Sequence, residues 1–396
     1  TRDRAYLERV APKLIKGCDF LIRERQSTMN APQSGNDGLQ GGLGARGLIH
    51  GLAPASSLED VIEYKYWIAT NAYFCLGMKK AAEALASINH PEAARIAREA
   101  EAYRRDIETA AREATTQAAV VRLRDGRYVP YVPSRIDHWR HLTEGWIREA
   151  LYCGVDLAVA GVIPHDDPMT GWILDELEDN IYFSWQSGYN VKDYEKTWFS
   201  RGGVTLQPCL VDTPRIYMLR DEPKAALRNF WNSYALLIYP DVHCFAEWAR
   251  SFGNGGGPLY KTADEARFVM WLRQFLVYED GDTLWLGRNV PRAWLEDGKT
   301  VRVSKAATFF GPAGLTLRSE AASGRILAEI DVPRRNPPEQ LRLRLRHPEG
   351  KAIVSATLNG EPLPADRISG EDILLPVKGL DISAPLKIEA RYQDPS

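Results

Sequence analysis

All eleven tryptophans of this chain fall between Trp67 and Trp294, and none lies in the last hundred residues. The same point divides two periodicities. Before it, apolar residues recur at helical steps: Ile62, Tyr66, Ala69, Tyr73 and Leu76, then Ile96, Ala100, Tyr103, Ile107 and Ala110. After it, Leu341, Leu343 and Leu345 interleave with Arg342, Arg344 and Arg346, the pattern of a strand with one wet face. A chain that changes period once, where its large aromatics stop, is expected to be mainly α with an all-β C-terminal domain. We place a helical domain over 1–298 and an antiparallel β-sandwich over 299–396, the latter punctuated by "LNGEPLPAD", "RHPEG" and "PVKG".

Helical patterns cover 3–26, 58–87, 91–117, 139–161, 167–182, 204–220, 222–238 and 262–279. Pro91 suits a first helical position, and "SINHP" is a tight link between antiparallel helices. The connections 27–57, 183–203 and 239–261 are long and rich in glycine and aromatics. Short links alternating with long ones fit a ring of (α/α) hairpins whose long loops gather at one end, where functional residues concentrate. Eight helices make four hairpins against the six of a closed ring. The toroid is therefore expected to be open, or to lack upstream hairpins, and a missing upstream segment favours a periplasmic or secreted location.

Fifty basic residues balance 52 acidic ones, so no bulk field draws the chain to nucleic acid or an anionic membrane. No run approaches the ~18 apolar residues of a membrane span. Five dispersed cysteines (18, 75, 153, 209, 244) read as buried thiols. Gly42-x-Gly44-x-x-Gly47 fits a dinucleotide fingerprint by letters, but no strand precedes it and no helix follows. His138 and His141 lack a third ligand, so no metal site is expected. No Gly-x-Ser-x-Gly elbow is present.

Carboxylates among aromatics remain. Sugar rings stack their C–H faces on Trp and Tyr, and cleaving them takes a proton donor plus a base or nucleophile, usually Asp or Glu. Glu59, Asp60 and Glu63 open a helical pattern that continues into Tyr64, Tyr66 and Trp67. Ser56-x-x-Glu59 also reads as a capping box, so the acids there have a structural alternative. In "HCFAEWARSFGNGGG", Glu247 lies between Phe245 and Trp248 just before a glycine run, either as a partly desolvated base or as the partner of Arg250 or Lys261. Trp185, Gln186, Tyr189, Tyr194, Trp198, Arg201 and Gln207 supply stacking platforms and hydrogen-bonding groups around Gly188, Gly202 and Gly203. Trp146 lies on a helix where Glu144 and Arg148 form an i,i+4 pair.

The loop G-L-x-P-x-x-x-x-E-D leading into "NAYFCLGMKKAAEAL", with the later "RGGVTLQP" and "HCFAEW", resembles the six-hairpin, (α/α)6-toroid glycosidases. The resemblance covers most of the chain, and the β-rich tail is similar to the sandwich that often follows such toroids. It implies a glycoside hydrolase that needs no cofactor, with a carbohydrate substrate and general acid/base catalysis, read as inverting. By position it places the base at Glu247 and the acid at Glu59 or Asp60. Glu63, Tyr66, Trp67, Trp146, Trp185, Gln186, Trp198, Arg201, Gln207 and Trp248 would bind the sugar. Two alternatives stay open: a polysaccharide lyase using residues such as Tyr66, His50, His138 or Arg201, and a non-catalytic carbohydrate-binding protein.

Overall fold

The computed structural model describes residues 3–29, 48–58, 61–123, 125–136, 154–181, 205, 207–239, 241–251, 254–257 and 261–393. The chain forms two compact units. A helical unit comprises Asp3–Arg220 and Ala225–Phe268, and a β unit comprises Asp221–Lys224 and Val269–Ser396.

In the helical unit, α1 (Arg4–Met29) buries Ala11, Cys18, Arg25 and Thr28, a stripe with steps of seven, seven and three residues on one helix face. The Thr28 hydroxyl donates to the Leu52 carbonyl at 2.7 Å. Arg25 is a buried cation held on several sides: Nε donates to the Gly51 carbonyl at 2.7 Å, Nη2 to Asp106 Oδ2 at 2.7 Å, and its guanidinium lies 4.2 Å from the Tyr103 ring centroid. The next two helices, α2 (Ile68–Ser87) and α3 (Ala93–Gln117), form an antiparallel hairpin. Every member of the expected stripe Ile96–Ala100–Tyr103–Ile107–Ala110 is buried. Each large apolar side chain buried this way contributes roughly 1.5–3 kcal/mol.

The helical pattern at 58–87 is corrected at its start. Ser56–Leu58 (β1) and Val61–Lys65 (β2) pair antiparallel, and helix begins only at Ile68. Val61 and Ile62 are β-branched and stiff at χ1, which favours the extended chain. Ser56-x-x-Glu59 is therefore no capping box. The buried side of α2 runs through Ile68, Ala72, Cys75, Met78 and Leu85, while Tyr73 is 38% exposed.

A ribbon of Val120–Arg122 (β3) and Tyr128–Pro130 (β4) shares a small apolar cluster of Val121, Leu123, Val129 and Tyr131. The short α4 (Val155–Val159) follows the stretch 137–153, which lies outside the described residues and holds most of the helix expected over 139–161. Next, α5 (Pro168–Glu176) starts at the Asp167 cap and ends in a π turn, Leu177–Ile181. The pattern at 204–220 yields helix only over α6 (Thr213–Leu219), with Asp212 at its N-cap and Pro214 in its first turn. After it come α7 (Pro223–Leu237) and two hairpins, Ile238–Tyr239 (β5) with Cys244–Phe245 (β6) and Trp248–Ser251 (β7) with Asn254–Gly256 (β8).

The last helix, α8 (Thr262–Leu276), gives way to strand before residue 279. Val277–Asp280 (β9) turns through Gly281, at φ +57°, into Thr283–Leu286 (β10). An Asp-Gly step between alternating apolar residues is a strong hairpin signal, and it outweighs the tail of the helical pattern. Strand pairing thus reaches back to 277, ahead of the expected boundary at 299.

The remaining strands are β11 (Thr300–Thr308), β12 (Gly311–Glu320), β13 (Arg325–Asp331), β14 (Gln340–Arg344), β15 (Ile353–Leu358), β16 (Glu361–Pro362), β17 (Ile368–Ser369), β18 (Asp372–Pro376) and β19 (Leu386–Tyr392). They form a six-stranded sheet ordered β11-β12-β13-β19-β15-β16 and a five-stranded one ordered β17-β18-β14-β10-β9. The expected all-antiparallel pairing fails at one place: β10 and β14 run parallel, Leu284 opposite Leu341.

Leu341, Leu343 and Leu345 are wholly buried, as alternation requires. Their arginine neighbours do not form a wet face. Arg342 and Arg344 both donate to Asp372, Arg344 and Arg346 to Asp221, and Arg346 is only 6% exposed. The Arg342 guanidinium stacks 4.2 Å from the Trp285 ring centroid. Alternating charge reads as solvent only when no acid is brought to meet it.

Candidate active site

Within the helical unit, polar side chains from five segments form a connected seam. Glu247 lies between β6 and β7. Lys261, just before α8, donates to its Oε1, and Gln207 Nε2 lies 3.4 Å from the same oxygen. The side chains of Glu247 and Lys261 are 25% and 26% exposed. Desolvation opposes the Lys261 charge, but hydrogen bonding to Glu247 outweighs it and its pKa is raised.

One turn into α8 lies Asp264, wholly buried, whose Oδ1 accepts the Cys209 backbone N–H at 2.7 Å. Burial pushes its pKa up, Lys261 opposes, and Glu247 adds to the rise. Arg267, one turn further, donates to Asp212 Oδ2 at 2.7 Å and reaches the Cys209 carbonyl at 3.4 Å. Asp212 and Arg267 both act electrostatically on Asp156 in α4.

Asp156 is the most perturbed acid of the seam. It is 1% exposed, and neither carboxyl oxygen closes a hydrogen bond. Burial raises its pKa to about 8; Asp212 adds to the rise, while Tyr73 and Arg267 oppose it. The Tyr73 hydroxyl lies beside it, close enough to bias its charge though not aligned as a hydrogen bond. Tyr73 keeps partial solvent contact, while burial raises its pKa. The seam therefore sets a carboxyl whose pKa is raised to about 8 (Asp156) beside acids paired with cations (Asp212 with Arg267, Glu247 with Lys261). A buried carboxyl with a raised pKa and a second, cation-paired acid are groups of the kind that general acid/base chemistry uses.

The sequence-derived residues fare unevenly. Glu247 and Gln207 are brought together. Trp67 is corrected: it is 0% exposed, its indole N–H donates to the Ser56 carbonyl at 2.9 Å, and it presents no face to a sugar. Tyr66 is half-buried, and its carbonyl accepts the Ile136 N–H at 3.0 Å. Glu63 lies on β2 and Trp248 on β7, with side chains outside the described set. Glu59, Asp60, Trp146, Trp185, Gln186, Trp198 and Arg201 lie outside the described residues altogether, as do His138, His141 and the glycines at 42–47.

Two local readings also change. The glycines after Glu247 supply β8, with Gly255 opposite Ala249 and Gly256 opposite Trp248, so this part of the run is a paired strand. Phe245 stacks on Phe268 with ring centroids 4.4 Å apart, and so fastens the hairpin to α8. Asp156 and Tyr73 were missed as site residues. A lone carboxylate inside the apolar run "GVDLAVAGVI" was the available signal. Among the described residues no cluster of His, Cys, Asp or Glu is arranged to hold a metal ion, and no helix is long and apolar enough to cross a membrane.

No family model matches the chain, and no curated protein does. Among solved structures the chain is similar to one described as "Glycoside hydrolase", at 10% identity and a TM-score of 0.34, over 82% of this chain and 64% of that one. The chain thus spans just under two thirds of that structure's length. A likeness this distant carries no functional argument.

Proposed function

We propose that the chain is a glycoside hydrolase acting on an oligo- or polysaccharide, with Glu247 as its ionised catalytic carboxylate. The supporting observation is that Glu247 forms the quarter-exposed end of a seam whose other acids, Asp264, Asp212 and Asp156, are buried. A carboxylate paired with Lys261 and still open to solvent is placed to take a proton from water. The water oxygen then bonds to the anomeric carbon while the glycosidic oxygen leaves with a proton from the acid, inverting the centre. Glu59 and Asp60 remain the acid candidates from the sequence. Asp156 joins them as a buried carboxyl, beside the Tyr73 hydroxyl, whose pKa is raised to about 8. Trp146, Trp185, Gln186, Trp198, Arg201 and Trp248 remain the proposed sugar-binding set, the helical unit the proposed open toroid, and the β unit its sandwich-type companion.

The test is a glycan panel followed for new reducing ends and, in the same samples, for ultraviolet absorbance of an unsaturated product. New reducing ends without absorbance, lost in Glu247→Gln, are expected. An absorbing product would show β-elimination and overturn the reading, as would a panel left uncut.

A further inference from the structure

The outer face of the six-stranded sheet carries a depression of about 350 Å³ that the hydrolase reading does not use. Strand register fixes its floor. Thr300, Arg318, Leu327, Glu389 and Thr357 lie side by side across β11, β12, β13, β19 and β15. The next row holds Arg302, Thr316, Glu329 and Lys387. The opposite face of these strands buries Leu317, Ile326, Ile330 and Ala390, so these polar rows face outward by the two-residue period of a strand.

On such a face, opposite charges in register usually satisfy one another. Here the sharing is incomplete. Glu389 pairs with Arg391 at 2.6 Å, leaving Arg318, Lys387 and Glu329 exposed with no hydrogen bond or ion pair to their side chains among the described residues. Arg318 on β12 and Lys387 on β19 are separated by one intervening strand, roughly 10 Å across the sheet. Leu327 lies in the strand between them, and Thr316 and Thr357 add hydroxyls at the rim.

From this arrangement we infer that the depression binds an acidic oligosaccharide, its carboxylates on Arg318 and Lys387 and a sugar hydroxyl donating to Glu329. Two spaced cations select a ligand with repeated negative charge. The free acid between them accepts from a hydroxyl and repels a continuous polyphosphate. The lining carries no aromatic ring, which disfavours nucleic-acid bases and neutral sugars, both of which depend on stacking. The inference is independent of whether the chain hydrolyses anything.

Binding is measured by calorimetry on the full chain carrying Glu247→Gln, so that turnover cannot consume the probe. The probes are a uronic-acid hexasaccharide, its carboxyl-reduced neutral counterpart and an inorganic polyphosphate of matched charge. The acidic hexamer is expected to bind at least tenfold more tightly than the other two, with affinity falling as salt rises. Arg318→Gln/Lys387→Gln should lose at least tenfold, Glu329→Gln should weaken binding while keeping its salt dependence, and Lys378→Gln, outside the depression, should change nothing. Equal binding of the neutral or phosphate probe, an unaffected double variant, or no binding by the parent would each overturn the inference.

Discussion

Lys261 donates to the Glu247 carboxylate across fourteen residues of chain, and each side chain keeps about a quarter of its surface in solvent. The pairing fixes the Glu247 carboxyl in place while leaving it within reach of a ligand. Glu247→Gln should lower kcat by about 10²-fold or more with little change in KM, because the amide keeps the shape without the base. Lys261→Met should also lower kcat/KM, since Glu247 loses the ammonium that holds its carboxyl in place. Unchanged rates in both variants would remove this pair from the chemistry.

Asp156 makes the helical unit sensitive to pH in a defined direction. Its folded pKa is raised from 3.8 to about 8, so between those values the folded chain holds a proton that the unfolded chain has released. Stability from this group is full below about pH 4 and is lost as pH rises toward 8. Thermal unfolding of Asp156→Asn should show a flatter pH dependence than the parent over that window. Parallel curves would contradict the assignment.

Asp372 acts in the opposite sense in the β unit. Burial disfavours its charge, but Arg344 and Arg342 outweigh burial and its pKa is lowered. Its contribution is present above the ordinary carboxylate range and is lost as pH falls below about 4 and through the folded value. With a side chain only 4% exposed, Asp372→Leu should cost about 3 kcal/mol at pH 7, because Arg342 loses its carboxylate and Arg344 keeps only Asp221, as chemical denaturation would measure.

Gly51 is held at φ +71°, and a Cβ there would come within 2.1 Å of Asp106 Oδ2. Asp106 cannot move freely, because Arg25 Nη2 holds it at 2.7 Å. Gly51→Ala therefore adds backbone strain of roughly 1–2 kcal/mol and disturbs a buried ion pair, for a total of about 2–3 kcal/mol. Denaturant unfolding that costs less than 1 kcal/mol would show that the Asp106 contact relaxes.

Phe245→Ala should destabilise the chain by about 3–5 kcal/mol, because it empties the stack against Phe268. Glu247 follows two residues later, so activity should fall in this variant as well. Phe245→Leu, which keeps most of the volume, should recover the larger part of both.

Side-chain periodicity along the chain already carries the division into a helical part and a sheet part, the buried stripe of α3 and the buried leucines of β14. Each of these follows from where a side chain points at a fixed period, and that is a local property. Short segments carry less information: Val61–Lys65 and Val277–Asp280 sit beside helices, and too few residues separate a period of 2.0 from one of 3.6. Pairing partners decided those two, Ser56–Leu58 for one and Thr283–Leu286 for the other. Tertiary structure alone decided the state of the charges. Arg344 meets Asp372 from 28 residues away and Asp221 from 123, which turns an apparently wet face into a covered network. Likewise Asp156 and Asp212 lie far apart in the chain, and only folding buries the one beside the other so that burial and the Asp212 charge raise the Asp156 pKa against the opposing Tyr73 and Arg267. Burial and Coulomb interaction depend on distance through space, which a sequence does not contain.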